Sequence, residues 1–517
     1  MRPTLERPKR AGFGDYATNA GLLLAPVLRA PPRDAAGRVG EELAAQLGPA
    51  LDRVEIAGPG FLNLFLSDDW HAAAAAHVLE AGAGWGGGTA APAERVLVEF
   101  VSANPTGPLT AASGRHAAYG DALARILAFA GHDVAREYYF NDAGTQIRKL
   151  GESIRARARS EDVPEDGYQG DYVGALAAEI PDAAEADADA LARRGVELLF
   201  ARIRATLEIY RVRFDTFFSE QTLSAGEPSA VARAFARLAE QGHVYRSEGA
   251  LWLRTTAFGD DKDRVLERSN GEPTYFAKDV AYHEHKLERG FDRLIDPLGS
   301  DHHGYIARMK AVMAALGADP ERLEIPILQF VHVVAGGQRS SMSKRRGDFV
   351  TLDELVAEIG VDATRFFMLQ RSHDTTVDLD LDLAGRQSNE NPVFYVQYAH
   401  ARIASLLERA GAERVGEAVG AAGAGGVQLH PSERALVKAL LAFPEEADEA
   451  AQRRAPHRVT AYALELAQGF TAFYRDCQVV GAEPREVEDL RLALCVAAQR
   501  TIARALDLLG VSAPASM

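Results

Sequence analysis

Cysteine is nearly absent from this 517-residue chain, which holds only Cys477 and Cys495. Two thiols cannot build a disulfide framework or a cysteine-rich zinc site, so a reducing cytoplasm is the default location. Long apolar runs are missing too. No stretch approaches the roughly 20 residues that span a bilayer, and the basic start MRPTLERPKR lacks the apolar core of a secretory signal. Positive charge is in deficit, with a net charge of −16. This argues against a chain that coats nucleic acid non-specifically. It leaves room for a nucleic-acid partner held on local basic patches and confined to one face. There is no internal repeat. No G-x-G-x-x-G follows the strand RVLVEF, which argues against a nucleotide-dependent dehydrogenase.

What is present is an ordinary globular composition, spread over a length too great for one core, so several domains are expected. From Gly12 to about Gly82 the chain reads as a small α+β unit. VEIAGPGFLNLFLS predicts two strands around a Gly-Pro-Gly turn, and DDWHAAAAAHVLEAG predicts a helix with Asp at its start. GAGWGGGTAAPAE reads as a linker. The strand RVLVEF then opens a region of alternating strands and helices to about residue 385, the pattern of a parallel α/β sheet. Its middle, about 143–262, is more helical and charged and reads as an insertion, with DAAEADADA a solvated acidic face or loop. From about Pro392 the spacing is helical, in FYVQYAHARIASLLERA and VTAYALELAQGFTAFYRDC. GAERVGEAVGAAGAGGVQL interrupts it as a flexible loop.

Three stretches carry chemistry. In VEFVSANPTGPLTAASGRHAAYG, Pro105 and Pro108 fix an extended turn, Thr110 can cap the following helix, and Ser113 lies one turn on. Free N–H groups at such a helix start attract phosphate, although a capped helix packed on a sheet accounts for the same residues. In GGQRSSMSKRRGDFVTLDELVAEIG, Met342, Ser343, Lys344 and Arg345 form a polar loop whose adjacent cations suit a reacting triphosphate. A solvated basic loop is the other reading. In EPTYFAKDVAYHEHKLERGFDRLIDPLGSDHHGY, Tyr275 and Asp279 share a helix face. With Glu99 on the early strand they offer two carboxylates and a ring to a guanidinium. Asp301, His302 and His303 follow Gly299. They lack further metal ligands, so a hydrogen-bonding role at a strand end is expected, with no structural metal.

Taken together, these stretches resemble the arginyl-tRNA synthetases, class I aminoacyl-tRNA synthetases, over nearly the whole chain. GDYATN and GPGFLNLFLS are similar to the N-terminal tRNA-elbow domain. VEFVSANPTGPL, YYFNDAG, SNGEPTYFAKDVAYH and GSDHHGY are similar to the catalytic core. SMSKRRGDFVTLDELVAEIGVDATRFFMLQRS is similar to the KMSKS loop and the segment downstream of it. NPVFYVQYAHARI and the ending RTIARALDLLGVSAPASM are similar to the anticodon-binding helices. The resemblance implies an α/β Rossmann-type catalytic core over 93–385 with a helical insertion at about 143–262. It also implies an N-terminal α+β domain over 1–85 and a C-terminal α-helical bundle over 386–517. It implies a monomer that joins L-arginine to tRNA-Arg through an arginyl-adenylate, consuming ATP with Mg²⁺ as substrate, adenylate formation itself needing bound tRNA. A non-catalytic tRNA-binding paralogue is the alternative.

Residue by residue, the resemblance implies arginine contacts from Glu99, Asn104, Tyr275, Asp279 and His303. It implies ATP contacts from Thr110, Ser113, Gly299, Asp301, His302, Met342, Ser343 and Lys344, with Lys344, Thr110 and Ser113 catalytic. Phe61 and Asn63 would meet the tRNA D-loop, and Tyr395, Arg402, Tyr474 and Met517 the anticodon. Three departures stand out. Where the family has His-x-Gly-His, this chain has Thr110, Ala111, Ala112 and Ser113, so hydroxyls and helix N–H groups would bind phosphate, helped by Arg115 or His116, the latter equally readable as a surface histidine. Relatives with a degenerate KMSKS loop carry a compensating lysine where Gly107 stands, whereas this chain keeps Lys344. The chain also starts almost at ERPK, where relatives place an extra helix first.

Overall fold

The computed structural model describes residues 2–8, 12–142, 144–339 and 350–517. Met342, Ser343, Lys344 and Arg345 lie outside the described residues. The central element is a five-stranded parallel sheet, in the spatial order Leu323–Glu324, Arg293–Ile295, Arg95–Glu99, Asp133–Phe140, Thr216–Ser219. The strands after Arg95–Glu99 add first on one side of it and then on the other. Such a reversal opens a crevice at the carboxyl ends of the two strands that flank it, the place where open α/β sheets hold ligands. Val96, Leu97 and Val98 are wholly buried, as a parallel strand covered on both faces requires. The helix Ala111–Ala130 seats against the end of that strand through Gly120, where a Cβ would lie 2.1 Å from the Phe100 ring.

The α+β N-terminal unit, the α/β core and the C-terminal helices follow the expected class. The N-terminal unit holds an antiparallel sheet in the order Leu5–Glu6, Tyr16–Thr18, Phe61–Leu66, Leu51–Ala57. Ser67 caps the next helix, Asp68–Ala81, which packs on the C-terminal helices Pro431–Gln452 and Arg485–Leu508. The pairs Asp68–Arg434 and Asp15–Lys438 fasten that junction.

Two expectations need correction. The stretch 143–262 is not one inserted block. Its first part, the helices Thr145–Ala158, Asp171–Glu179 and Ala188–Ile209, has a small core of its own around Leu150, Ile154, Val173 and Leu176. The chain then returns to give the sheet its edge strand Thr216–Ser219, and leaves again for the helix Ala230–Glu240 and a three-stranded antiparallel sheet. Four strand residues between charged flanks are too short a pattern to register. Nor is 411–429 wholly loop, since Ala412–Gly420 is helical. Ala418 is fully buried, and Arg414 reaches Glu488 and Asp489 on the last helix. The glycines around that helix masked its short apolar face.

One buried arginine joins the catalytic and C-terminal parts. Arg365, from the helix Leu352–Leu369, is fully enclosed. It pairs with Asp121 of the helix Ala111–Ala130 and donates to the carbonyls of Leu509 and Tyr210, each at 2.9 Å. Removing one partner of a buried pair leaves the other charge stranded, at a cost of about 3–5 kcal/mol. Arg365→Ala is therefore expected to lower unfolding stability by about that amount, read by denaturant melts.

Candidate active site

The strand Arg95–Glu99 ends in a strained turn. Val101 and Ser102 adopt φ of 67° and 40°, left-handed values that cost of order 1–3 kcal/mol each and persist only where surroundings enforce them. Here the turn brings the Ser102 hydroxyl to Glu99, donating to Oε1 at 2.8 Å, while accepting the Tyr139 N–H at 3.2 Å. Two residues on, Asn104 accepts from the Asn141 N–H at 3.3 Å and donates to Gln146 at 3.0 Å. The strand end is thereby laced to its neighbour Asp133–Phe140.

The facing wall is the helix Tyr275–Glu288, capped by Thr274. Tyr275, Asp279 and His283 recur every fourth residue and so share one face. Lys286, further along, is completely buried and donates to Glu99 Oε2 at 2.6 Å and to both Asp296 oxygens at 2.8 and 2.9 Å. Asp296 also takes the His283 ring at 3.2 Å. Burial raises the Glu99 pKa above the usual carboxylate range although Lys286 opposes it. At Asp296 burial also pushes upward, but Lys286 and His283 outweigh it and hold the group below the usual range. Burial works against the Lys286 ammonium, and the two carboxylates outweigh that.

Above this floor lies a cavity of about 410 Å³. Asn104, Tyr275 and Asp279 line it together with Ser102, Tyr139 and Glu220. Glu99 is not part of the lining; it lies beneath, its oxygens accepting bonds from Ser102 and Lys286. Glu220, which the sequence pattern did not reveal, supplies the second carboxylate, steadied by the Tyr139 hydroxyl at 2.7 Å and by Lys278. Its only signal was a Ser-Glu pair at the end of an unrecognised strand. Burial pushes Asp279 up to about 6, against the lowering effects of the Tyr305 hydroxyl and His283. His302 reaches the cavity, whereas His303 is exposed and outside the lining. At Gly299 a Cβ would meet Asp301 Oδ1 at 2.7 Å, the end of an exposed side chain that can swing aside.

Thr110 caps the helix as its position suggested, which takes its hydroxyl away from the phosphate site. Thr110 is buried, and its hydroxyl caps its own helix by accepting the Ser113 N–H. The Ala111 N–H donates to Val350 O at 3.0 Å, and Thr110 bridges Thr351. Among the described residues, this leaves the Ala112 N–H to a ligand, while the half-buried Ser113 hydroxyl shares a 3.3 Å bond with the Thr110 hydroxyl and keeps further acceptor capacity. Arg115 is not a phosphate ligand: it is buried and donates to the carbonyls of Gln329, Phe330, Ser372 and Thr375. His116 is not a surface histidine. It is bonded to the Pro297 carbonyl, and burial, reinforced by Arg115, drives its pKa down to about 4, so it brings no charge. At Gly107 a Cβ would come within 3.2 Å of the Tyr172 hydroxyl, so a side chain there would crowd that ring.

Of the residues expected to meet tRNA, Phe61 is 41% exposed and Met517 56%, whereas Asn63 is only 5% exposed within its sheet. Tyr395 and Tyr474 pack partly against the core. The Arg402 guanidinium lies 5.2 Å from the Tyr474 ring centroid. Both cysteines are buried and free. Among the described residues no helix is long and apolar enough to cross a membrane, and no cluster of His, Cys, Asp or Glu could hold a metal.

This fold and crevice are those of a class I aminoacyl-tRNA synthetase: residues 183–383 match the model of the class I (R) catalytic domain, and 396–517 the DALR anticodon binding domain. Residues 1–66 match the arginyl tRNA synthetase N terminal domain. The arginine--tRNA ligase of Frankia alni is 47% identical over 99% of this chain and 94% of its own length, and that of Geobacillus thermodenitrificans 45% identical with the same coverage. Among solved structures, a putative arginyl-tRNA synthetase from Campylobacter jejuni aligns with a TM-score of 0.79 and 33% identity, covering 87% of this chain and all of that one. The Thermus thermophilus arginyl-tRNA synthetase aligns at 0.77 and 25%, covering 100% and 97%. The chain belongs to the arginyl-tRNA synthetase family.

A guanidinium held by Asp279 would need that carboxylate ionised. With a free-state pKa of about 6, the group is largely ionised at neutral pH and protonates as pH falls through that value. Arginine affinity is therefore expected to weaken about tenfold from pH 7 to pH 5, measured by calorimetry. A flat profile would remove Asp279 from the contact.

Proposed function

We propose that this chain is a working arginine–tRNA ligase rather than a non-catalytic paralogue. The observation that carries this reading is the cavity at the sheet's reversal point, where the carboxylates of Asp279 and Glu220 stand beside Tyr275 and Tyr139. A decayed site has no reason to keep two carboxylates in a crevice against their mutual repulsion. In this reading Asp279 and Glu220 hold the guanidinium, Tyr275 covers it at the mouth, and Asn104 takes the α-amino or carboxylate end. Glu99 acts from the floor through Ser102 and Lys286.

The arginine carboxylate oxygen then attacks the α-phosphorus of ATP, which enters with Mg²⁺ as part of the substrate, and pyrophosphate leaves. In the second step a ribose hydroxyl of the terminal tRNA adenosine attacks the arginyl carbonyl, and AMP departs. The protein's work is positioning and offsetting charge. Ser113 and the Ala112 N–H take a phosphate oxygen at the helix start, Gly299 and His302 flank the nucleotide, and Lys344, with Met342 and Ser343 beside it in sequence, neutralises the departing pyrophosphate. Thr110 serves as the cap that shapes this helix start. The exposed Phe61 side meets the tRNA elbow, and the helical bundle meets the anticodon loop. The enzyme acts as a cytoplasmic monomer.

Lys344→Ala is expected to slow arginyl-adenylate formation by at least about a hundredfold, the scale of losing one charge-stabilising donor, with tRNA binding held near its original strength. Ser113→Ala should slow the same step, whereas Thr110→Ala should act mainly as the loss of a cap, costing about 1 kcal/mol of stability. Pyrophosphate exchange in the presence of tRNA-Arg, beside thermal melts, separates these outcomes. An unaltered exchange rate in Lys344→Ala would overturn the assignment.

A further inference from the structure

The helices inserted after Thr145 reach the catalytic turn through one tyrosine. Tyr172 stands in the first turn of the helix Asp171–Glu179, whose Val173 and Leu176 are wholly buried in the insertion's own core. The Tyr172 side chain packs partly against that core. Its hydroxyl donates to the Thr106 carbonyl at 2.8 Å, in the turn between the strand Arg95–Glu99 and the helix Ala111–Ala130. Burial lifts the phenol pKa above its usual range, and Tyr168 adds to the effect, so the hydroxyl keeps its proton and remains a donor.

Two glycines confine the ring. A Cβ at Gly170 would lie 2.7 Å from Tyr172 Cε1, and one at Gly107 would lie 3.2 Å from the hydroxyl and 3.3 Å from Cζ. The bonded carbonyl sits at a sensitive point of the chain. Asn104, two residues before it, lines the cavity, and the helix start at Ala111 follows. Asn104 is held by Asn141 and Gln146, and Leu109 accepts from the Leu352 N–H. Between Asn104 and Leu109, among the described residues, the Tyr172 hydroxyl is the one side-chain donor to the turn. The Thr106 N–H closes onto Asn104 O at 2.7 Å, so a displacement of Thr106 is passed to Asn104. Pro105 and Pro108 hold φ fixed on either side of the Thr106–Gly107 pair, which makes the segment stiff and poor at absorbing such a displacement locally. Gln146, at the start of the helix Thr145–Ala158, also lines the cavity. The insertion therefore meets the site at two points, Gln146 and Tyr172.

We propose that Tyr172 is a positioning residue for adenylate formation. Its bond to Thr106 holds the arginine-binding end of the turn at a fixed distance from the phosphate-binding end, and makes the insertion part of the frame of the active site. This rests on the reading of the chain as a working ligase, and the experiment separates the two. Pyrophosphate exchange in the presence of tRNA-Arg, and arginylation of tRNA-Arg, would be measured on the full chain for Tyr172→Phe, Gly107→Ala and the double variant.

Tyr172→Phe keeps the ring and loses the bond. It is expected to raise KM for arginine and for ATP and to lower kcat/KM for both by about tenfold, the scale of one lost hydrogen bond acting through placement. KM for tRNA should be unmoved. A sample that is merely less well folded loses kcat and leaves every KM in place, so a fall in kcat alone would overturn the proposal. Gly107→Ala adds a methyl to which the tethered ring must yield, and should give a loss of the same kind. In the double variant the untethered ring can tilt away, so the two losses should not multiply. Losses that do multiply would place the two residues on separate paths and defeat the proposal. Unchanged constants in Tyr172→Phe, or a rise in KM for tRNA alone, would defeat it as well. A parent enzyme without exchange or arginylation would instead overturn the ligase reading beneath it.

Discussion

The site depends on one buried ammonium. Glu99 and Asp296 end adjacent parallel strands, Arg95–Glu99 and Arg293–Ile295, on the two sides of the point where strand order reverses. Two buried carboxylates in that position repel each other and resist desolvation. Lys286 resolves both problems by donating to the two at once. Because it comes from the helix that also bears Tyr275 and Asp279, the same three contacts fix the height and rotation of the substrate-facing wall relative to the sheet. A buried charge network of this kind is worth having only when every member is satisfied, and here Ser102 and His283 take the remaining acceptor positions.

The strain at Val101 and Ser102 makes sense in that setting. An unstrained exit from the strand would not bring the Ser102 hydroxyl between Glu99 and the Tyr139 N–H, and Asn104 would lose its relation to Asn141 and Gln146. The network thus offsets the turn's cost, and in return the turn delivers the cavity's polar rim. Rigid elements on both walls are what a reaction governed by placement requires, since small displacements of reacting atoms cost large factors in rate.

The three-part architecture was legible because it rests on long periodic patterns, as in the strand RVLVEF and the helices after Pro392. What escaped was short or paired across distance. Thr216–Ser219 is four residues long, and its place in the sheet comes from pairing with Asp133–Phe140. Glu220 inherits its position from that strand and so escaped with it. Tyr275 and Asp279 were readable from helical spacing alone, and the same spacing continued to His283 without being followed. The pairing of Glu99 with Lys286 was not legible, because nothing local in the sequence tells that a lysine far downstream will be buried against it. Thr110 was readable as a cap, but its burial was not. Only the fold separates a buried cap from a half-exposed group.

The missing imidazoles fit the same physics. A triphosphate approaching an acidic protein needs local positive potential, and the helix beginning at Ala111 has little to spare. One of its leading N–H groups is taken by Val350 and another by Thr110. Arg115 is consumed by four carbonyls, and His116 is held neutral. The bond that removes the Ala111 N–H does something in exchange, because Val350 and Thr351 come shortly after the basic SKRR segment in the chain and are pinned to this helix start. Leu352 N–H donates back to Leu109 O at 2.8 Å, and Thr351 closes a full capping box with Glu354. The helix start has thus traded part of its own dipole for a fixed anchor at the base of a cationic segment. For a step whose barrier is lowered by charge brought to bear as pyrophosphate departs, a full cation is a stronger donor than the one N–H that this helix start keeps free.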